Sequence, residues 1–203
     1  QLKQRLDPTV TIMQGINSFI KKNQKRIVFA DGEDENTLKA AIAFKNSKLG
    51  VPILVGKESK IKEQIRNIGY NEDFDIEIIN SKDEEKRKKY LKHLFEKLQR
   101  EQGLLERDCD RLLRNDRVIW ATSMVACGDA DGAVTGNTRR FGASLDKIKQ
   151  VVDVRDGEIM FGLNMVVHKG RTIFIGDTSV HEYPTSEELA EIAISTARVV
   201  RLF

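Results

Sequence analysis

Two short segments of this chain bring together residue types that can do chemistry. The first is Thr135-Gly136-Asn137-Thr138-Arg139-Arg140, where a glycine frees the backbone, a threonine offers a hydroxyl and two guanidiniums stand side by side. A guanidinium pairs bidentately with phosphate, so the segment reads as an anion-binding loop or, more plainly, as two solvated arginines. The second is Gly176-Asp177-Thr178-Ser179-Val180-His181. Here Asp177 can orient a ligand hydroxyl or the imidazole of His181, or it can close its own loop as an Asx turn. Both segments follow apolar runs that read as strands. In open α/β sheets ligands bind beyond the carboxyl ends of strands, and helix N-termini placed there offer unpaired N–H groups to an anion. Gly136, Thr138, Arg139, Arg140, Asp177, Thr178 and His181 are therefore the candidate site for a phosphorylated or acyl-CoA-like ligand. The two loops are expected to face each other across a cleft.

A third turn, Asp31-Gly32-Glu33-Asp34, ends another apolar run and leads a helix. It reads either as a ligand loop in which Gly32 takes a positive φ, or as a plain βα turn whose Asp34 or Glu35 favours the helix dipole. Pro184-Thr185-Ser186-Glu187-Glu188 is structural, with Thr185 or Ser186 as a cap and Glu188 or its neighbour reaching back. No His/Cys cluster has metal-ligand spacing, and no Walker loop, nucleophile elbow or full dinucleotide fingerprint occurs. His93 and His168 read as surface residues.

The elements that must position these loops follow from the apolar pattern. Asp7-Pro8 opens a helix, and Val10, Met13, Ile16, Phe19 and Ile20 repeat at helical spacing, so one face packs. Ile27–Ala30, Val51–Gly56, Phe74–Ile79 and Ala130–Val134 read as strands, with helices between them. Ser81 to Arg114 is a charged helical stretch broken near Gly103, with Tyr90, Leu91, Leu94, Phe95 and Leu98 in one stripe. Asp116 to Cys127 is a compact apolar helix, and Ser144 to Val152 a short one. Ile159–Val167 and Arg171–Ile175 form a hairpin turning at His168-Lys169-Gly170, followed by a helix from Ser186. Alternating strands and helices argue a parallel, doubly wound sheet, and the hairpin breaks that rhythm. The expected organisation is a linker helix over 1–25, a first α/β subdomain over 26–152, and the start of a second, cut short, over 153–203.

At 203 residues and 40% hydrophobic content the chain can bury one good core or two small ones. Its 34 Lys and Arg against 31 Asp and Glu leave a net +3, too small and too dispersed to argue for nucleic acid or an anionic membrane. Acidic residues interleave the Lys82–Lys92 block, which reads as a solvated helix face. No apolar run approaches the roughly 20 residues of a membrane span. Cys109 and Cys127 read as two reduced thiols in a cytoplasmic protein.

Taken in order, Arg26-Ile27-Val28-Phe29-Ala30-Asp31-Gly32-Glu33, Ala130-Asp131-Gly132-Ala133-Val134-Thr135-Gly136 and the run from Gly176 to Ala193 resemble the phosphate acetyl/butyryltransferase family, over about Pro8 to Phe203. The Arg5–Pro8 opening, the Thr138–Phe141 loop and Val151-Val152-Asp153 look like the phosphotransacetylase-like C-terminal domain of bacterial NADP-dependent malic enzymes. The resemblance implies a three-layer α/β/α sandwich with a mainly parallel sheet, of the phosphotransacetylase and isocitrate-dehydrogenase kind. It implies an acyl-CoA-sensing, oligomerising module with acetyl-CoA as effector and no catalytic residue of its own. Malate oxidation to pyruvate, with NADP and a divalent metal (Mg or Mn), is expected in a preceding malic-enzyme domain. The alternatives are a phosphate acetyltransferase and an interaction scaffold without ligand. In the family the strand-end glycine is followed by a Thr-Thr pair and then by an Arg-Pro whose Arg helps bind phosphate. Those slots here hold Arg140-Phe141 and Asp146-Lys147, and an acid at Asp146 repels an anionic substrate. The family's catalytic Ser-Arg pair is expected beyond Phe203.

Overall fold

The computed structural model describes residues 8–70, 75–80, 82–168 and 171–202, with side chains from Gln14 onward. The cap at Asp7, the side chains of Val10 and Met13, and Phe74, Ser81, Lys169, Gly170 and Phe203 lie outside the described residues. In chain order the elements are α1 (Pro8–Lys22), β1 (Lys25–Phe29), α2 (Glu35–Asn46), β2 (Gly50–Val55), α3 (Glu58–Asn67), β3 (Glu77–Ile79) and α4 (Glu84–Gln102). They continue with α5 (Glu106–Asn115), α6 (Arg117–Ala126), β4 (Gly132–Val134), α7 (Phe141–Lys149), β5 (Leu163–His168), β6 (Arg171–Gly176) and α8 (Ser186–Val200). The chain divides into two compact units: residues 19–153, and residues 154–202 together with 8–18.

The first unit is built on a parallel sheet of order β3-β2-β1-β4. Ile27 pairs with Pro52 on one side and Gly132 on the other, and Val28 with Ile53 and Ala133. Because strand side chains alternate, the sheet has two apolar faces. Val28, Ala30, Ile53 and Val55 point into one core with Tyr90, Leu94 and Leu98 of α4, Cys109 and Leu113 of α5, and Ile119, Trp120 and Met124 of α6. Phe29 and Leu54 point into the other, against Leu38, Ala41 and Ile42 of α2 and Ile61 and Ile65 of α3. Helices on both faces of a parallel sheet make the three-layer α/β/α fold. The Tyr90 and Trp120 rings meet edge to face at 5.1 Å, and the Tyr90 hydroxyl donates to Asp129 at 2.7 Å.

Short polar residues start the helices, as their hydrogen-bonding reach requires. Asp34, Asp83 and Asp116 accept from first-turn N–H groups of α2, α4 and α6. Gly103 ends α4 in the left-handed conformation, which breaks the long charged stretch where its sequence suggested. In the second unit β5 and β6 pair antiparallel from Leu163–Gly176 to His168–Arg171, and Thr185 and Glu188 close a capping box on α8.

Several expectations need correction. The first hairpin strand begins at Leu163, four residues after Ile159. β6 ends at Gly176; the Asp177 N–H still bonds the Gly162 carbonyl at 2.6 Å, but its φ of +45° then turns the chain away, so residues 159–161 have no strand opposite them among the described residues. The last helix of the first unit runs Phe141–Lys149 and not Ser144–Val152. Its first turn exposes Phe141 (54%), so no apolar period marked it. Phe19 is exposed while Ile16 and Ile20 are half-buried. It lies about 100° round the helix from Ile20, off the line of packing. His93 is not a surface residue: half-buried, its Nε2 lies 3.0 Å from the Val151 carbonyl. The charged face of α4 is partly used between elements, for Arg87 pairs with Asp110 at 3.2 Å and Lys89 with Asp129 at 2.8 Å.

Candidate functional site

β1 sends the chain one way across the sheet, to β2 and then β3, while β4 lies on its other side. The carboxyl ends of β1 and β4 therefore flank the topological switch point, where an open α/β sheet leaves a crevice. The backbone bond from Ala30 N–H to Val134 O, at 3.0 Å, carries the ladder to the brink of both loops.

Beyond that bond the loops are laced by side chains. Asp31 is 2% exposed, and its Oδ1 accepts from the Thr138 hydroxyl at 2.6 Å. Its Oδ2 is buried without a partner among the described residues. Asp34 accepts from Thr37 N–H at 2.9 Å and from the Asn137 amide, which also reaches the Thr37 hydroxyl at 3.2 Å. The Thr37 N–H holds the Asp34 carboxyl below the usual carboxylate range, with Asn137 contributing. Arg139 donates to Asp116 Oδ2 at 2.7 Å.

These contacts change the roles read from sequence. The Thr138 hydroxyl proton is committed to Asp31, so it is not a free donor for a ligand. Arg139 is engaged by a carboxylate, so the adjacent guanidiniums are not both available. Arg140 is exposed, its backbone starts α7, and its side chain has no partner among the described residues. Gly136 does take a positive φ, +101°. Gly32 does not; a side chain there would put Cβ 2.8 Å from the Val55 carbonyl. Close backbone approach is its reason, not turn handedness. Glu33 turns aside to accept from Lys57 N–H at 2.9 Å, near Lys60 and Arg117 at 3.5 and 3.9 Å. Burial pushes its carboxyl up, but these contacts outweigh it and the net shift is downward.

Under the β4 loop lies a cavity of about 510 Å³ between the strand end and α7, lined by Val134, Thr135, Gly136, Phe141, Ser144 and Leu145 among others. Ser144 is 4% exposed, and neither its Oγ nor the buried Thr135 Oγ1 has a partner among the described residues. An unmatched buried polar group costs roughly 1–3 kcal/mol. The N-terminus of α7 carries no side-chain cap. From the sequence Ser144 is only the expected start of a helix. Its signal was a lone hydroxyl on an otherwise apolar helix face, next to Leu145 and Ile148.

In the second unit Asp177 fulfils both roles read for it. Its carboxylate accepts from the N–H groups of Ser179 (3.2 Å), Val180 (2.8 Å) and His181 (3.0 Å), and also contacts His181 Nδ1. Burial pushes this carboxyl up, yet the N–H groups and His181 outweigh it and bring it down to about 2. The imidazole is held by Nδ1, and Nε2 has no partner among the described residues. Thr178 accepts from Asn164 at 2.7 Å. The seven candidate residues thus divide: Gly136, Thr138, Arg139 and Arg140 in the first unit, Asp177, Thr178 and His181 in the second. Among the described residues no group of three or more His, Cys, Asp and Glu could hold a metal ion, and no helix is long and apolar enough to cross a membrane.

The fold and its switch-point loops define the chain as a three-layer α/β/α domain with an open parallel sheet. It matches the family profile described as phosphate acetyl/butaryl transferase over residues 11–203, and it belongs to that family. It is 39% identical over 202 residues to the NADP-dependent malic enzyme of Rhizobium meliloti, covering 99% of this chain and 26% of that protein. The phosphate acetyltransferase of Helicobacter pylori is 28% identical over 204 residues, all of this chain and 39% of that one. The crystal structure of a phosphotransacetylase from Streptococcus pyogenes superposes with a TM-score of 0.83 at 24% identity, over 94% of this chain and 58% of that one, which establishes the fold. The chain thus spans about a quarter of the length of the malic enzyme it matches. It is a phosphotransacetylase-like domain of the kind those malic enzymes carry.

Proposed function

We propose that this domain is the regulatory, oligomerising part of an NADP-dependent malic enzyme and that it binds acetyl-CoA or a related acyl-CoA as effector. The observation that carries the reading is the match of nearly the whole chain to one quarter of a malic enzyme at 39% identity, above its likeness to the transferases. Oxidative decarboxylation of malate, with NADP and Mg or Mn, then belongs to the rest of that protein, in the cytoplasm. Arg140 and the uncapped start of α7 suit an anionic ligand, and Leu189 (54% exposed) and Ile194 (50%) on α8 offer apolar surface to a second copy.

Thermal unfolding with and without acetyl-CoA tests effector binding, because a ligand that binds only the folded form raises its stability. Acetyl-CoA titration of malate oxidation by the longer protein tests regulation, and an unchanged rate overturns it. Sedimentation tests assembly, where a concentration-independent monomer counts against it. The second reading, phosphate acetyltransferase, draws on the Helicobacter match. Asp146, exposed on α7 in the family's arginine slot, opposes it. Formation of acetyl-CoA from acetyl phosphate and CoA by the pure protein would reverse the preference.

A further inference from the structure

We infer that the Arg139–Asp116 pair is an autoinhibitory latch: it withholds the guanidinium of the β4–α7 loop from an anionic ligand, and a ligand phosphate takes Arg139 by displacing Asp116. The inference rests on the reading above that this loop meets a phosphate-bearing effector, and adds how the loop is controlled. Three consecutive residues of the loop are each held by a different carboxylate: Asn137 by Asp34, Thr138 by Asp31 and Arg139 by Asp116. The donors that suit an anion are thus filled by anions of the protein itself.

Only the third contact is arranged to open. Asp31 is buried, and Asp34 uses one oxygen, Oδ2, both for Asn137 and for the cap of α2. Asp116 divides its duties. Its Oδ1 accepts from the N–H groups of Val118 and Ile119, while Oδ2 takes Arg139. Releasing the arginine therefore leaves the start of α6 intact. The pair also lies near solvent, with side chains 31% and 13% exposed, and partly exposed ion pairs are weak. Arg139 gives Asp116 only Nη1, and its Nε and Nη2 have no partner among the described residues. A phosphate can engage that free edge bidentately before the carboxylate lets go. Asp116 is not stranded when it does, because it lines a cleft of about 130 Å³ together with Lys57, Arg114 and Arg117. The carboxylate has other cations at hand, so both the closed and the open arrangement keep its charge compensated.

The test is calorimetric titration of the full chain with CoA, in the parent, Asp116→Asn, and Asp116→Asn combined with Arg139→Ala. Asparagine caps a helix as well as aspartate does, so Asp116→Asn keeps α6 and removes the charge. It should bind CoA more tightly, by up to about fivefold, the fold-change that a partly exposed ion pair is worth. The double variant should lose that gain. Asp116→Ser, which also caps, should reproduce the gain and guards against an effect peculiar to the asparagine amide. If Asp116 instead positioned Arg139 for the ligand, both single variants would bind CoA more weakly, and the latch would be overturned. Equal affinity in the parent and both single variants, or a gain that survives Arg139→Ala, would overturn it as well and leave the effector reading intact. No binding of CoA by the parent or any variant would overturn both.

Discussion

Arg139 reaches across to Asp116 at 2.7 Å, and the same carboxylate caps α6 by accepting from the N–H groups of Val118 and Ile119 at 2.9 and 3.3 Å. One aspartate thus fixes both the start of a core helix and the far side of the β4 loop. Replacing it should cost more than replacing its partner. Asp116→Ala loses the cap, worth about 1 kcal/mol and up to ~2, and frees the loop as well. Arg139→Ala removes only a partly exposed ion pair, worth about 0–1 kcal/mol. Urea unfolding of the two variants checks the order. In the longer protein, Arg140→Ala should weaken the acetyl-CoA response more than Arg139→Ala, because only Arg140 is without a partner among the described residues. Equal effects would assign the two arginines the same role.

Gly32 is a point where β1's loop touches β2. A Cβ there would meet the Val55 carbonyl at 2.8 Å, the Val55 nitrogen at 3.0 Å and Leu54 Cβ at 3.1 Å. None of these is the movable end of a long side chain. Gly32→Ala should therefore destabilise by about 1–3 kcal/mol, the range for overpacking a well-filled interior. Gly69→Ala, where nothing lies within 4 Å, serves as the control for backbone strain alone, since its φ is +84°. A melting temperature for Gly32→Ala equal to that of the parent would show that β1 and β2 can part at little cost.

Asp177 ties stability of the 177–181 turn to acid. Its folded-state value of about 2 lies below the ordinary 3.8. A depressed carboxyl stabilises the fold fully above the ordinary value and loses that contribution as pH falls through the depressed one. The turn should therefore weaken between about pH 4 and pH 2. Asp177→Asn should remove that dependence and lower stability at neutral pH. Proton resonances of the His181 ring, followed through the same pH range, report the change directly. An identical acid profile in Asp177→Asn would mean that other carboxyls govern the transition.

The two thiols should be sluggish. Burial pushes Cys109 upward, with Asp108 adding to it, and burial pushes Cys127 upward against the opposing charge of Lys89. The thiolate is the reactive form, so modification by a disulfide reagent at pH 7–8 should be slow for Cys127 and require unfolding for Cys109, which is fully buried. Thiol titration before and after denaturant measures this. Rapid reaction of both thiols in the folded protein would contradict the packing of α5 against α4.

Much of the fold was legible because local rules and tertiary demands agree. Ile27–Ala30 is a continuous apolar run since both faces of its strand are covered, and the Tyr90–Leu98 stripe is helical because one side of α4 is buried. Asp34 and Thr185 announce helix starts through short-range hydrogen bonds that need no distant partner. The candidate loops were legible for the same reason: glycine, threonine and aspartate at strand ends are local signals. Tertiary structure alone decided how those side chains are used. Asp31 and Thr138 lie 107 residues apart in the sequence, as do Asp34 and Asn137 by 103, so only the pairing of β1 with β4 lets them bond. The same holds for Arg139, whose chemistry depends on a carboxylate 23 residues upstream. Ser144 reads as an ordinary helical residue until β4 and α7 converge on a cavity around it. Sequence determined the elements, whose forces act within a few residues, while hydrogen-bond partners, burial and the vacant donors depended on which strand ends the sheet brought together.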